Sequence, residues 1–212
     1  MKRQERIDAL KTAVFEMYPD AKTELEHHNE FQLLIAILMS AQATDKQVNI
    51  INRNFFEHFK TPEDGVKLGV EEITEFISSV SFFNNKAKNI FKTCEILIAE
   101  HNSIPPETIK ELTALPGVGI KTAKVFLSVT KGAPYLGVDT HVHRVLNRVG
   151  VVKTANPGET DKKAEKIFNN EDLAKLHNTL ILFGRYHCVA RSPKCKTCPI
   201  LNSCSYKEKN LD

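Results

Sequence analysis

Four cysteines crowd the C-terminal end of this 212-residue chain: Cys188, Cys195, Cys198 and Cys204. The intervals between them hold six, two and five residues. Four thiolates in so short a loop can converge on one metal centre, and zinc and an iron–sulfur cubane both suit that ligand set. Paired knuckles are the usual zinc arrangement, whereas here a single CxxC stands among outlying cysteines. Arg191 and Lys194, in the short basic segment between the first two cysteines, are suited to phosphate.

The second chemical centre is Leu115-Pro116-Gly117-Val118-Gly119-Ile120-Lys121-Thr122-Ala123. Ile109, Leu112 and Leu115 precede it at helical spacing, and Pro116 ends that helix by disfavouring helical geometry at the residue before it. Gly117 and Gly119 permit backbone angles that a side chain forbids. A second helix follows through Ala123, Val125, Phe126 and Val129. The pattern is helix, tight hairpin, helix, spanning about residues 108–131. Its glycines and the free N–H groups of the second helix's first turn can hold a phosphate oxygen. Lys121 sits in that turn, where the helix dipole disfavours an ammonium relative to the free amine a nucleophile needs.

The third centre is Asp139, placed to cap the helix behind it. A carboxylate there can also orient an amine, accept its proton and stabilise positive charge on a sugar. His141 and His143 follow. Residues two apart on a helix do not face each other. For His141, packing or a phosphate contact is therefore preferred to metal binding. Arg144 and Arg148 read most simply as a solvated face.

LPGVGxKTA, the Val138-Asp139-Thr140-His141 run and the cysteine spacing, in that order, resemble the helix-hairpin-helix glycosylases of the endonuclease III family. The resemblance covers nearly the whole chain. It implies a DNA glycosylase and abasic-site lyase for oxidised or ring-damaged pyrimidines in duplex DNA. Lys121 is then the Schiff-base nucleophile, Asp139 its partner, and the strand is cut by β-elimination on the 3′ side. It implies a [4Fe–4S] cluster on the four cysteines, and DNA contacts from Gly117, Val118, Gly119, Thr122, His141, Arg191 and Lys194. Ser40-Ala41-Gln42-Ala43-Thr44-Asp45 matches a family motif whose glutamine fills the space left by an extruded nucleotide, a role that passes to Gln42. Phe82 and Phe83 stand where relatives often carry Leu-Tyr. They either fold into the core or supply a wedge between base pairs. Ile120 replaces a common basic residue. Monofunctional mismatch adenine glycosylases and a non-enzymatic DNA-binding module are the alternatives. The presence of Lys121 and its pairing with Asp139 argue against them.

A net charge of +3 permits nucleic-acid binding without demanding it. The longest apolar stretch, residues 31–39, is too short for a bilayer and contains Gln32. No secretory signal is expected, and five cysteines fit a reducing compartment. A monomer in the bacterial cytoplasm, associated with the nucleoid, is the expectation.

An all-α fold follows from the periodicity. Helices are expected over 3–18 (with Ile7, Leu10, Val14 and Met17 inward), 30–41 capped by Asn29, and a third behind a Thr44–Gln47 capping box. Another starts at Thr61-Pro62, and Ser81 to Lys86 break the pattern. A long helix then runs to about His101, with Phe91, Cys94 and Ile98 inward. Pro105-Pro106 open the first hairpin helix. Later helices cover 140–149, closed by Gly150, then 160–168 and 171–183. Two helical lobes are expected: residues 22–132 with the hairpin, and 1–21 plus 133–212 with the cluster loop.

Overall fold

The computed structural model describes residues 2–168 and 173–212, and among these no strand occurs. The chain forms two compact units. One is continuous, Glu24–Thr130; the other joins the N-terminal residues up to Thr23 to Lys131–Asp212.

The continuous unit is built on α2 (Glu30–Ser40), whose residues 31–39 are all buried. Asn29 caps it by accepting from the Gln32 N–H at 2.8 Å. Gln32 is the polar member of that buried run. It satisfies itself by donating to Phe56 O and Phe59 O and accepting from the His28 N–H, so its burial carries no unmade bond. α3 (Asp45–His58) brings Phe55, which with its C-cap Phe59 and Phe31 forms an aromatic cluster, ring centroids 4.4–5.2 Å apart. Thr44 accepts from the Gln47 N–H, but Gln47 does not close the expected capping box. Its amide reaches instead to Ser79 O.

α4 (Pro62–Ile77) starts with a true capping box between Thr61 and Asp64, and bends at Gly69. It packs along α5 (Phe83–His101). Gly65 makes the close approach possible: a Cβ there would stand 2.5 Å from Cys94 Sγ and 2.9 Å from Phe59. Cys94 is fully buried, and burial pushes its thiol up to about 12, as befits a core residue. α5 begins earlier than its periodicity suggests, directly after Phe82. At its far end Ile98 lies outside the core at 38% exposure. α6 (Ile109–Ala114) is opened not by the prolines but by Thr108, which accepts from the Glu111 N–H. Pro105 and Pro106 are buried upstream. α7 (Ile120–Lys131) ends the unit.

The second unit packs α1 (Arg3–Met17), α8 (Thr140–Val149), α9 (Pro157–Ile167) and α10 (Leu173–Leu182) around one core. Leu10, Val14, Val142, Leu146, Leu180 and Phe183 lie at its centre. Met17, expected inward, is at the surface, because α1 stops there and Tyr18 leaves the helix. α9 starts at Pro157, capped by Asn156, in what reads as a polar connection. The expected start of the last helix at Glu171 lies outside the described residues. Beyond Leu182 the helix loosens into a π-helical turn, Phe183–His187, and the cysteine loop follows.

Candidate functional site

The hairpin between α6 and α7 is made by three residues. Leu115 leaves the helix in an extended conformation. The Val118 N–H then donates to Leu115 O at 3.1 Å, while the Val118 side chain is buried. Gly117 takes φ +79°, and a Cβ on it would press to 2.7 Å from Asn89 Nδ2. Gly119 differs: a Cβ there would meet nothing within 4 Å. The protein's own packing does not require that glycine, which leaves an open approach for an outside group. Ala123 N–H to Gly119 O at 3.0 Å is the helix's opening bond, so the preceding amides have no acceptor within the helix. Because the Val118 amide is used internally, the donors of this corner are those of α7's first turn. Lys121 stands exposed in that turn, with Thr122 half-buried beside it.

Gln42 and Phe82 occupy two other corners of the same unit. Both are exposed and both adopt left-handed backbone conformations, φ 59° in each. Phe82, 63% exposed, does not fold into the core, whereas Phe83 is half-buried. One cavity is lined by both residues together with Asn85, Lys86, Asn89 and Gly117. Ile120 is also exposed.

Asp139 lies in the second unit. Its Oδ1 accepts from the Val142 N–H at 2.8 Å, the cap expected of it. His141 is half-buried, and burial pulls its pKa down against the upward pull of Asp139. Its Nδ1 meets Arg144 Nη2 at 3.2 Å. Gly184 lets the π-helical turn lie against His141, since a Cβ there would come within 2.9 Å of His141 Cβ. His143 points elsewhere, to Thr160 Oγ1 at 2.7 Å. The two imidazoles therefore serve separate networks.

Arg144 and Arg148 are not a solvated face. Arg144 donates to Cys188 O at 3.0 Å and Gly184 O at 2.6 Å. Arg148 donates to Val189 O at 2.7 Å, Ala190 O at 2.9 Å and Cys188 Sγ at 3.7 Å. Its guanidinium also lies over the Tyr206 ring. The two arginines of α8 thus clasp the start of the cysteine loop. The end of α8 holds the loop's other side: Arg148 O accepts from Cys204 Sγ and Ser205 Oγ, and Val149 O from the Ser205 N–H. Gly150 (φ +85°) closes α8 where a Cβ would strike Ser205. The only sequence signal for this role was the one-turn spacing of two arginines on a helix whose other face is apolar.

Cys188, Cys195, Cys198 and Cys204 line one cavity. Burial raises the Cys188 thiol, partly offset by the Arg148 hydrogen bond and charge and by Arg144. Burial and the three neighbouring thiols push Cys198 up to about 11, against the Ile200 N–H. Among the described residues no three His, Cys, Asp or Glu side chains are placed to hold a single metal ion. Arg191 and Lys194 are exposed on the same loop, which is further fixed by the Lys194 N–H donating to His187 O.

A glycine hairpin presenting a lysine and a helix-capping aspartate, in a two-unit all-helical chain, define a helix-hairpin-helix protein. Residues 35–170 match the model of the HhH-GPD superfamily of base excision DNA repair proteins. The chain is 44% identical to endonuclease III of Rickettsia felis, covering 91% of this chain and 92% of that protein. It is 43% identical to endonuclease III of Escherichia coli K12, covering 99% of both. A solved structure of a trapped endonuclease III–DNA covalent intermediate superimposes with a TM-score of 0.89 at 42% identity, over 96% of each chain. A thermostable thymine-DNA glycosylase at 22% identity and TM-score 0.84 shares the fold. The chain belongs to the endonuclease III family. Among the described residues no helix is long and apolar enough to cross a membrane.

Proposed function

We propose that this protein removes oxidised pyrimidines, such as thymine glycol, from duplex DNA and cuts the strand at the resulting abasic site. Lys121 is the nucleophile. Its Nζ lone pair attacks C1′ of the damaged nucleotide, and the C1′–N bond breaks as the base leaves with a proton. The sugar ring then opens to a Schiff base. Loss of a C2′ proton and of the C3′–O bond cuts the strand 3′ to the lesion, and water releases Lys121. Asp139, one oxygen of which caps α8, orients the amine and offsets positive charge on the sugar. The target carbon is unreachable in the base stack, so the nucleotide must be turned out first. Gln42 and Phe82 are the side chains for that task. The hairpin from Gly117 to Thr122, together with His141, Arg191 and Lys194, grips phosphates. The protein works as a monomer on nucleoid DNA in the bacterial cytoplasm.

The observation that carries this reading is Lys121, exposed in the first turn behind a hairpin whose Gly119 leaves open space. It occurs in a chain similar to one solved as a trapped covalent DNA intermediate.

Cys188, Cys195, Cys198 and Cys204 would hold a [4Fe–4S] cluster. Four thiols lining one cavity suit a metal centre, and a single CxxC with two outlying cysteines differs from the paired knuckles usual for zinc. When bound, such a cluster supplies covalent cross-links that stiffen the loop. The chain's own residues place Arg191 and Lys194 on it.

The test is incubation with a duplex carrying one thymine glycol, with Lys121→Ala and Asp139→Asn alongside. Base release and strand scission by the wild type, abolished by Lys121→Ala, is the expected result. Base release without scission would point to a water nucleophile, and DNA binding without either to a non-enzymatic module.

A further inference from the structure

We propose that Lys86 is a positioning residue that holds the two DNA-probing side chains, Gln42 and Phe82, in a fixed relation to each other. The inference rests on the reading above that these two residues enter the duplex.

Gln42 and Phe82 are 40 positions apart in sequence yet line one cavity, and neither is a glycine although each has φ 59°. Left-handed conformations of ordinary residues persist only where the surroundings impose them. Lys86 links both corners. Its backbone N–H donates to Phe82 O at 3.0 Å as the opening main-chain bond of α5, so its side chain springs from the turn directly behind the aromatic ring. Its Nζ donates to Met39 O at 2.8 Å and Ala41 O at 2.6 Å. Those carbonyls belong to the C-terminal end of α2, and the Ala41 carbonyl immediately precedes Gln42. The end of a helix leaves carbonyls without intrahelical donors and carries partial negative charge. An ammonium is the group such a site calls for. The Lys86 side chain is partly sunk into the protein to reach it, and burial draws its pKa down. A surface lysine free to follow solvent would not be so placed.

Gln47 gives the same two corners a second tie, its amide donating to Ser79 O in the turn before Phe82. Gln47 acts between neighbouring turns, whereas the Lys86 side chain, rooted in the first turn of α5 behind Phe82, bonds the carbonyl next to Gln42. Lys86 also lines the shared cavity, so its loss would be felt where both probing side chains meet the duplex. Preorganisation of this kind matters only when the enzyme has to break a stack. A lesion already unstacked needs neither the plug nor the wedge.

The experiment measures single-turnover base release by the full-length protein with its cluster. One substrate is a thymine glycol paired opposite adenine; the other carries the same lesion within an unpaired bubble. Lys86→Met removes the ammonium and keeps the aliphatic length. The expected result is a rate about tenfold or more below wild type on the paired substrate and within about threefold on the bubble, because only the former needs extrusion. Lys86→Met combined with Gln42→Ala should fall by less than the product of the two single effects. Equal loss on both substrates, full additivity, or no loss would each overturn the proposal. If Lys86→Met does not fold by circular dichroism, Lys86→Gln is read against the same criteria. Gln42→Ala separates the two levels. If it leaves the paired-to-bubble ratio unchanged, the probing role of Gln42 fails. If it lowers the ratio while Lys86→Met does not, only the role of Lys86 fails.

Discussion

Replacing Arg148 by methionine should loosen the cysteine loop without touching any cysteine. The guanidinium makes two short hydrogen bonds, to Val189 O and Ala190 O, and a longer one to Cys188 Sγ. Hydrogen bonds from a charged donor contribute about 1.5 kcal/mol each at the lower end of their range. The contact with the Tyr206 ring, 4.4 Å from the guanidinium to its centroid, adds about 0.5–1 kcal/mol. Part of this is recovered because Arg148 is only half-buried. Water can reach the released carbonyls, and the methionine stem still packs. The net loss is about 2–3 kcal/mol. With a urea slope of about 2–3 kcal/mol per molar, the unfolding midpoint should fall by about 1 M. The visible absorbance of the [4Fe–4S] cluster proposed for the four cysteines would report the unit that holds the loop, and far-UV circular dichroism reports the whole chain. Bleaching of the cluster by a chelator should be faster in Arg148→Met. Arg148→Lys, which keeps the charge but loses the planar fork, should lie between the two. A midpoint within about 0.2 M of wild type, with unchanged bleaching, would refute the idea that Arg148 holds the loop.

Gly65→Ala forces a methyl group against Cys94 and Phe59 in the contact between α4 and α5. It should cost about 1–3 kcal/mol by overpacking, seen as a lowered melting temperature. Gly117→Ala imposes a left-handed backbone on alanine and displaces Asn89. It should cost about 1–2 kcal/mol and weaken binding to lesion-containing duplex several-fold, measured by fluorescence anisotropy. His141, pulled down by burial in the folded protein, binds its proton more readily when unfolded. Its contribution is therefore neutral well above its ordinary value of about 6.5 and becomes destabilising as pH falls through and below it. His141→Asn should flatten the loss of stability between about pH 7.5 and 5.5, followed by urea midpoints at each pH.

Local rules carried far in this chain. Asn29, Thr61 and Asp139 cap their helices as their types and positions suggest, because a cap is decided within four residues. The all-round apolar pattern of α2 marked the buried centre of one unit, and Gly150 marked the end of α8. The missed features are those settled by distant partners. Gln47 has a local acceptor available at the start of α3, yet its amide goes to Ser79, brought beside it by the tertiary fold. Arg144 and Arg148 look solvated until the cysteine loop, 40 positions on, supplies carbonyls for them. The start of α5 was obscured by Phe82, whose left-handed backbone has no marker in an aromatic side chain. The role of Lys86 was invisible for the same reason, since the carbonyls it binds are 45 and 47 residues away. Pro105-Pro106 show the reverse error. A proline near a helix start is compatible with several registers, and the neighbouring Thr108 made the choice.

The central claim is that Lys121 forms a covalent bond to the sugar of a damaged nucleotide. Borohydride reduces a Schiff base to a stable amine, so it converts that intermediate into a protein–DNA cross-link visible by gel mobility. With a duplex carrying one thymine glycol, wild type should give a cross-link, and peptide mapping should place it on Lys121. Lys121→Ala should give none while still binding the duplex. A cross-link of undiminished yield in Lys121→Ala, or base release by wild type with no cross-link at all, would contradict the account.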